Sequence, residues 1–85
     1  MPKFFRARKA GLIKKFLETK NFRVVGTNGD DEIWAREGWN YTIKLPNRNE
    51  EIPDGTMSFI KKCMRNCGVD PKEMLQWWKE NGFGD

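Results

Sequence analysis

The chain has 85 residues, of which 38% are hydrophobic and 13% aromatic, so it can build one modest core and is too apolar for a disordered segment. No apolar run approaches the roughly 18 residues that a membrane-spanning helix needs. The first eight residues are charged and lead into no long apolar stretch, which argues against a signal peptide. We therefore expect a single cytoplasmic domain over residues 1–85.

The net charge of +4 is unevenly distributed. Residues 1–25 hold eight Lys or Arg and one Glu, residues 26–56 hold three basic and seven acidic residues, and residues 57–85 hold five basic and four acidic residues. A concentration of positive charge at one end suits an anionic partner, and RNA or DNA is the usual one. A solubilising surface explains the same pattern, and the charge alone leaves both interpretations open.

Cys63 and Cys67 are the two cysteines of the chain, and the sequence contains no histidine. Two thiols alone cannot complete a structural zinc site, which needs four ligands. Adjacent turns of one helix also hold two cysteines poorly for a disulfide. We expect both residues to pack as small apolar side chains, and we expect neither a metal nor another cofactor.

The first part of the chain predicts one helix and three strands. Apolar residues at helical spacing indicate a helix over residues 10–20, which ends before Asn21. The dipeptide Asn28-Gly29 favours a tight hairpin turn, and Pro46 closes the last strand. Short β-branched or alternating stretches predict the strands themselves, over residues 22–26, 32–36 and 41–45.

The second part of the chain predicts two helices. Thr56 can cap the first of them and Gly68 ends it. The dipeptide Asp70-Pro71 is a strong start for the second, because aspartate caps a helix and proline suits its first position. We expect this last helix over about residues 70–81 and a frayed end after it. The apolar repeat that marks the first of the two helices consists of Met57, Ile60, Met64 and Cys67.

The order of elements is therefore α-β-β-β-α-α. It predicts an α+β domain in which helices cover one face of a three-stranded antiparallel sheet. The core spans about residues 10–68, and the last helix adds to it. This arrangement is the one seen in double-stranded-RNA-binding domains, although an analogy of fold alone does not license a function.

Three stretches of the chain stand out together: EIPDGTMSFIKKCMRNCG, residues 51–68, LIKKFLETKNF and IKLPNRNEEI. The first resembles the closing segment of the HicA family of bacterial toxins, the other two also look like that family, and the resemblance covers roughly residues 10–75. HicA proteins are small ribonucleases that cut messenger RNA, and a HicB antitoxin blocks their active site. The resemblance implies an mRNA interferase of a toxin–antitoxin system, with RNA and a HicB-like antitoxin as partners.

The same resemblance identifies a candidate catalytic residue. The family's catalytic histidine lies in a Gly-Ser-His turn after the first strand, and the matching positions here are Gly29, Asp30 and Asp31. Gly29 would let the turn present Asp31, which is a weaker base than the histidine it replaces. Three hypotheses stay open: catalysis by Asp31, a solvated acidic turn, and a toxin fold without its catalytic base. Whether the chain is a ribonuclease is open for that reason.

Basic and aromatic residues supply the candidate RNA contacts. Phosphate contacts make binding sensitive to salt, whereas a charged helix face needs no partner. Trp77 and Trp78 cannot both face inward on one helix, so we expect one to meet an antitoxin or to stack on a base. A non-catalytic RNA-binding module and a protein-interaction domain are the alternative functions. The basic candidates are Lys14, Lys15, Lys44, Lys61, Lys62 and Arg65.

Overall fold

Six elements follow one another along the chain in the predicted order. The computed structural model describes residues 9–83. The strands pair antiparallel in the order β1-β2-β3, so the α+β class, the order α-β-β-β-α-α and the three-stranded meander are confirmed. Within the described residues, no helix is both long and apolar enough to cross a membrane. The bounds are Ala10–Thr19 for α1, Phe22–Asn28 for β1, Asp31–Arg36 for β2, Thr42–Pro46 for β3, Asp54–Asn66 for α2 and Pro71–Glu80 for α3.

The core lies between one face of the sheet, the inner face, and the helices. Ile43 and Leu45 of β3 are fully buried there, whereas the alternating Thr42 and Lys44 are exposed on the outer face. Helices α1 and α2 pack on the sheet, and α3 packs against these two helices. No helix of residues 9–83 lies on the outer face. The side chains that join Ile43 and Leu45 in the core include Trp34, Ile13, Phe16, Leu17, Ile60 and Met64.

The β1–β2 turn is one residue later than the sequence predicts. Asn28 pairs with Asp31 at the end of the ladder, so Gly29 and Asp30 form the two-residue loop. Gly29 has a φ of 64°, and among the described residues with a side chain only Asn21, the exit of α1, has a positive φ. A positive φ at the first loop residue alone is typical of a type II′ turn, which takes glycine at that place.

The start of α1 is capped from a distant part of the chain. The backbone N–H of Gly11 donates to Asn49 Oδ1 at 2.9 Å, and the N–H of Ala10 donates to the carbonyl of Glu50 at 2.9 Å. A Cβ atom on Gly11 would lie 2.7 Å from Asn49 Oδ1. The loop before α2 therefore closes over the first turn of α1, and a side chain at position 11 would displace the Asn49 side chain.

The other two helices begin with local signals. Helix α2 starts at Asp54, with Pro53 as its cap residue, so the prediction that Thr56 caps it is wrong. Thr56 lies inside the first turn, because the first helical hydrogen bond already ends on the carbonyl of Pro53. At α3, the Asp70 carboxylate accepts a backbone N–H at 3.0 Å and Pro71 is the first helical residue, which confirms the predicted start.

Helix α2 ends in a Schellman motif at Gly68. The N–H of Gly68 donates to the carbonyl of Arg65 at 3.0 Å, and the N–H of Val69 donates to that of Met64 at 2.9 Å. Gly68 has a φ of 80°, and a Cβ atom there would lie 2.5 Å from Cη2 of Trp39. Glycine is needed at this position both for its backbone angle and because the Trp39 ring lies against it.

Helix α3 ends in the same motif, and the expected fraying is not found up to Phe83. Gly82 has a φ of 77°, and the N–H of Phe83 donates to the carbonyl of Trp78 at 2.8 Å. The Phe83 ring is half-buried, with its centroid 5.7 Å from that of Trp77. The aromatic residue after the glycine therefore packs against the end of the helix, a contact that the sequence pattern does not predict.

The two cysteines are free thiols that pack in or near the core. Cys67 is fully buried, and its Sγ donates to the carbonyl of Tyr41 at 3.4 Å. Cys63 is half-buried. Burial raises the pKa of both thiols. The expected packing role is confirmed for Cys67 and holds in part for Cys63.

Alanine at the two helix-ending glycines tests the contact with Trp39. We expect Gly82→Ala to cost about 1 to 2 kcal/mol of unfolding free energy, the usual penalty for a left-handed residue with a side chain. Gly68→Ala pays that penalty and also displaces Trp39, so it should cost about 1 to 3 kcal/mol more. Urea denaturation of the two variants measures the difference, and equal losses would show that Trp39 moves aside without cost.

Candidate nucleic-acid interface

The candidate catalytic residue, Asp31, lies on the outer face of the sheet. It is the first residue of β2 and is half-buried between its cross-strand partners Asn28 and Pro46. Lys44 pairs with Ile33, two positions further along, which makes it a diagonal neighbour of Asp31 at about 7 to 8 Å between Cα atoms. This is the one candidate cation that the structure brings close to Asp31 on the same face.

Lys14 is engaged in a contact inside the protein. Its Nζ lies 2.9 Å from Oε1 of Glu32, whose side chain points to the inner face, and Trp34 Nε1 donates to the same oxygen at 3.2 Å. The hydrogen bond from Lys14 lowers the pKa of Glu32 below its ordinary value of 4.5, although partial burial opposes this. Lys14 therefore attaches α1 to β2, and its ammonium group already has an anionic partner.

Helices α2 and α3 enclose an open groove with three cations. Lys61 and Arg65 of α2 lie one helical turn apart, and Lys72 of α3 faces them across a volume of about 670 Å³. Lys61 is half-buried, and the other two side chains are exposed. Asp70 is the acidic residue in the lining, and its carboxylate caps α3. We call this cavity the α2–α3 groove.

A second polar pocket, the Trp39 pocket, lies at the end of β2. Its volume is about 550 Å³, and it is lined by Asn21, Arg23, Arg36, Glu37 and Trp39. The Arg36 side chain is held in place, because its Nη1 donates a hydrogen bond to the backbone carbonyl of Cys67 at the end of α2, at 3.1 Å. The Arg36 guanidinium also lies 5.7 Å from the centroid of the Trp39 ring.

The two cavities meet at Gly68. This glycine lines the α2–α3 groove and lies against the ring of Trp39, which lines the other pocket. Together the cavities hold five cationic side chains and two acidic ones. A continuous surface of this kind carries a local positive charge that suits a polyanion. The cations are Arg23, Arg36, Lys61, Arg65 and Lys72.

The remaining candidate RNA contacts lie apart from this surface. Lys44 projects from the outer face of the sheet. Lys15 is exposed on α1, with its Nζ 5.6 Å from the centroid of the Phe83 ring. Lys62 is exposed on α2 and does not line the α2–α3 groove. The structure thus brings Lys61 and Arg65 together and separates them from Asp31.

The exposed tryptophan is not the one that the sequence suggests. Trp78 is buried, and Trp77 is half-buried between Phe16 and Phe83, with ring centroids 6.0 and 5.7 Å away. Trp39 is 45% exposed. One feature of the sequence is consistent with this exposure: Trp39 lies in a predicted turn, where no alternating pattern would bury it.

Three further residues of this surface were not predicted from the sequence, namely Arg23, Arg36 and Lys72. Lys72 lies in the first turn of α3, and the position of this helix relative to α2 depends on the turn at Gly68. The two arginines line the same pocket because β1 pairs with β2 at this end of the sheet. Among residues 9–83, no group of three His, Cys, Asp or Glu side chains is arranged to hold a metal ion.

Comparisons with protein-family models, with curated proteins and with solved structures gave no match. Residues 9–83 form an α+β domain with a three-stranded antiparallel sheet and a cationic surface at the ends of β2 and α2.

The Lys14–Glu32 contact predicts a pH-dependent stability. Because the pKa of Glu32 is lower in the folded chain than its ordinary value of 4.5, the contact stabilises the fold above that pH and is lost as the pH falls through the folded pKa. We expect Glu32→Gln to cost about 1 kcal/mol at pH 7 and nothing at pH about 2. Thermal unfolding across this range measures it.

The control is Glu18→Gln, which removes an exposed carboxylate from α1. It should change stability little at any pH. The interpretation is wrong if both variants lose the same stability, or if the loss in Glu32→Gln is as large in acid as at neutral pH.

Proposed function

We propose that this chain is an RNA-binding protein of the HicA toxin type that holds the RNA backbone in the α2–α3 groove. The single observation that carries the proposal is the convergence of Lys61, Arg65 and Lys72 on one open groove. Lysine and arginine are the usual phosphate contacts of nucleic-acid-binding proteins. No acidic side chain other than Asp70 lines the groove.

The charge balance of the groove favours a phosphate ligand over a solvated helix face. Elsewhere in the described residues, Lys14 and Lys20 are paired with Glu32 and Glu73 at 2.9 and 2.6 Å. The groove instead presents three cations to one carboxylate, and that carboxylate already accepts a backbone N–H. A polyanion would release the resulting repulsion between like charges.

The architecture supports the same proposal. A three-stranded antiparallel sheet with two helices on one face is the arrangement of double-stranded-RNA-binding domains, and we propose that the chain has a fold of this type. The sequence segments that resemble HicA toxins occupy α1, β3 and α2. Both arguments are analogies and gain weight only together with the cationic groove.

Cleavage of messenger RNA is the second candidate function, and one observation favours it. Asp31 and Lys44 are neighbours on the outer face, which no helix of residues 9–83 covers, and there a carboxylate and an ammonium group can serve as base and acid. The distance between this pair and the α2–α3 groove means that an RNA strand must contact both faces of the sheet. We therefore propose binding as the primary function and cleavage as a further step.

A HicB-like antitoxin is the protein partner that the resemblance implies, and we retain it in the proposal. Its gene should lie beside the gene for this chain. Co-expression of the two products, followed by purification through a tag on one of them, tests the partnership. Separate elution of the two proteins would remove the antitoxin from the proposal and leave RNA binding unaffected.

The salt dependence of RNA binding tests the groove. We expect Arg65→Gln to weaken the binding of a short labelled RNA and to reduce the slope of log K against log salt by about 0.7, the value for one single-strand phosphate contact. Arg65→Lys keeps the charge and should largely restore the slope. Fluorescence anisotropy at several salt concentrations gives both quantities.

Lys79→Gln is the matched control, because it also removes one cation from an exposed helix position but lies outside the groove. It should leave the slope unchanged. An equal loss in Lys79→Gln and Arg65→Gln would mean that only the net charge matters, and failure of the wild-type chain to bind RNA at low salt would refute the proposed function.

Substitution of Asp31 separates binding from cleavage. We expect Asp31→Ala to leave RNA affinity unchanged, because Asp31 and the groove lie on different faces of the protein. Any cleavage by the wild-type chain should fall by about 100-fold or more, as expected for loss of a general base. Asp31→His should cleave faster at pH 7, since histidine titrates near neutrality.

Gel analysis of a labelled single-stranded RNA measures cleavage in these variants, with Asp30→Ala as the control in the same turn. Weaker RNA binding by Asp31→Ala would put the RNA on the outer face and contradict the proposed binding mode. Cleavage that persists unchanged in Asp31→Ala would remove Asp31 as the base.

A further inference from the structure

The Trp39 pocket has a second feature besides its charge, which is a fixed and exposed aromatic ring. Gly68 lies against the benzo part of the ring, because a Cβ atom added to this glycine would lie 2.5 Å from Cη2 and 2.6 Å from Cζ2. Arg36 lies beside it and is itself held by the carbonyl of Cys67 at 3.1 Å. Trp39 as a residue stays 45% exposed, so a side chain held by these two neighbours remains accessible to a ligand.

We propose that the Trp39 pocket receives one unpaired nucleotide, with its base stacked on Trp39 and its phosphate near Arg23, so that the chain selects single-stranded over double-stranded RNA. The inference rests on the proposed RNA binding and names the class of RNA. Base stacking on an exposed aromatic ring beside cations is the usual way in which proteins hold single strands.

Polar groups of the pocket match the edge of a base. Asn21 and Glu37 line it, and together they supply amide donors, an amide acceptor and a carboxylate acceptor. Asn21 is held at a φ of 68°, where it ends α1, so its backbone position is fixed. A carboxylate repels a phosphate but accepts hydrogen bonds from the amino group of a base, which favours a nucleotide over a bare phosphate ion.

The geometry of RNA explains the selection for single strands. In an A-form duplex the base faces are stacked on one another, and the deep major groove excludes side chains. Trp39 can therefore reach a base face only where the base is unpaired. A duplex satisfies the cations of the α2–α3 groove through its phosphates but leaves the Trp39 pocket empty.

A nucleic acid fits this pocket better than a protein segment does. The pocket adjoins the α2–α3 groove, since Gly68 of the groove lies beside the Trp39 ring, and the two cavities together present five cations and two acids. A single RNA strand can follow both cavities with a phosphate at each step and a base at Trp39. An acidic peptide would supply the negative charge, but it has no aromatic bases at regular intervals along its backbone.

The test compares three labelled ligands of equal length by anisotropy: an unstructured RNA, the corresponding duplex, and a strand without bases. The wild-type chain should bind the unstructured RNA roughly 5- to 150-fold more tightly than the strand without bases, the range expected for one stacked base. Stacking should also quench tryptophan fluorescence, because Trp39 is the most exposed tryptophan of the described residues.

Trp39→Leu and Trp39→Phe form the matched pair of variants, because both fill the space beside Gly68 and only phenylalanine can stack. Trp39→Leu should lose the preference for the strand with bases and keep its salt slope, whereas Trp39→Phe should keep most of the preference. Circular dichroism checks that each variant folds, and the wild-type comparison of ligands needs no variant.

The outcomes separate this inference from the function on which it rests. Equal wild-type affinity for the strands with and without bases, or for single strand and duplex, would overturn the inference while RNA binding stands. An unchanged preference in a folded Trp39→Leu chain would overturn it as well. If no ligand binds at low salt, both the proposed function and the inference fail.

Discussion

The two faces of the sheet differ because the helices of residues 9–83 cover only one of them. A polar side chain on the covered face must find a partner there. Glu32 shows the consequence, since the alternation of β2 turns its carboxylate inward, where Lys14 and Trp34 Nε1 both bond to it. This contact fixes α1 over β2 and removes the Lys14 ammonium from the protein's outer surface. Several of the cations that remain available to a ligand lie near the ends of the elements, where the packing of helix on sheet stops.

The end of α2 is such a place, and one residue there serves two purposes. Gly68 takes the left-handed angle that ends the helix, and its missing side chain leaves the space in which Trp39 lies. Trp39 belongs to the turn after β2, so this contact joins the end of the sheet to the helical layer. The same junction brings Arg36 to the carbonyl of Cys67. The cationic surface is thus a product of helix termination, and a different residue at position 68 would separate its two halves.

The sequence predicts the features of this molecule that depend on near neighbours. Periodicity locates all six elements to within a few residues, and the Asp70-Pro71 start is correct because the cap and the helix are adjacent. Contacts between distant residues have no such signal. The hydrogen bond from Gly11 to Asn49 joins positions 38 residues apart. Helical geometry predicts that one of Trp77 and Trp78 is exposed, but Trp78 is buried and Trp77 packs between Phe16 and Phe83, a contact that local geometry cannot show. The cationic surface is harder to predict from the sequence than the fold is, since its cations come from four separate elements.

The distance between Asp31 and the cationic surface constrains any catalytic role. β2 places Asp31 at one end and Arg36 at the other, five residues or about 17 Å apart, with side chains on opposite faces. A base must lie within hydrogen-bond distance of the ribose hydroxyl that it deprotonates. A strand that is bound at Trp39 can reach Asp31 only by passing around an edge of the sheet, with several nucleotides between the two points. A flexible single strand can follow such a path, whereas a duplex of the same length cannot bend so sharply. Cleavage at Asp31 and stacking at Trp39 therefore require the same class of RNA, although they act on different nucleotides of it.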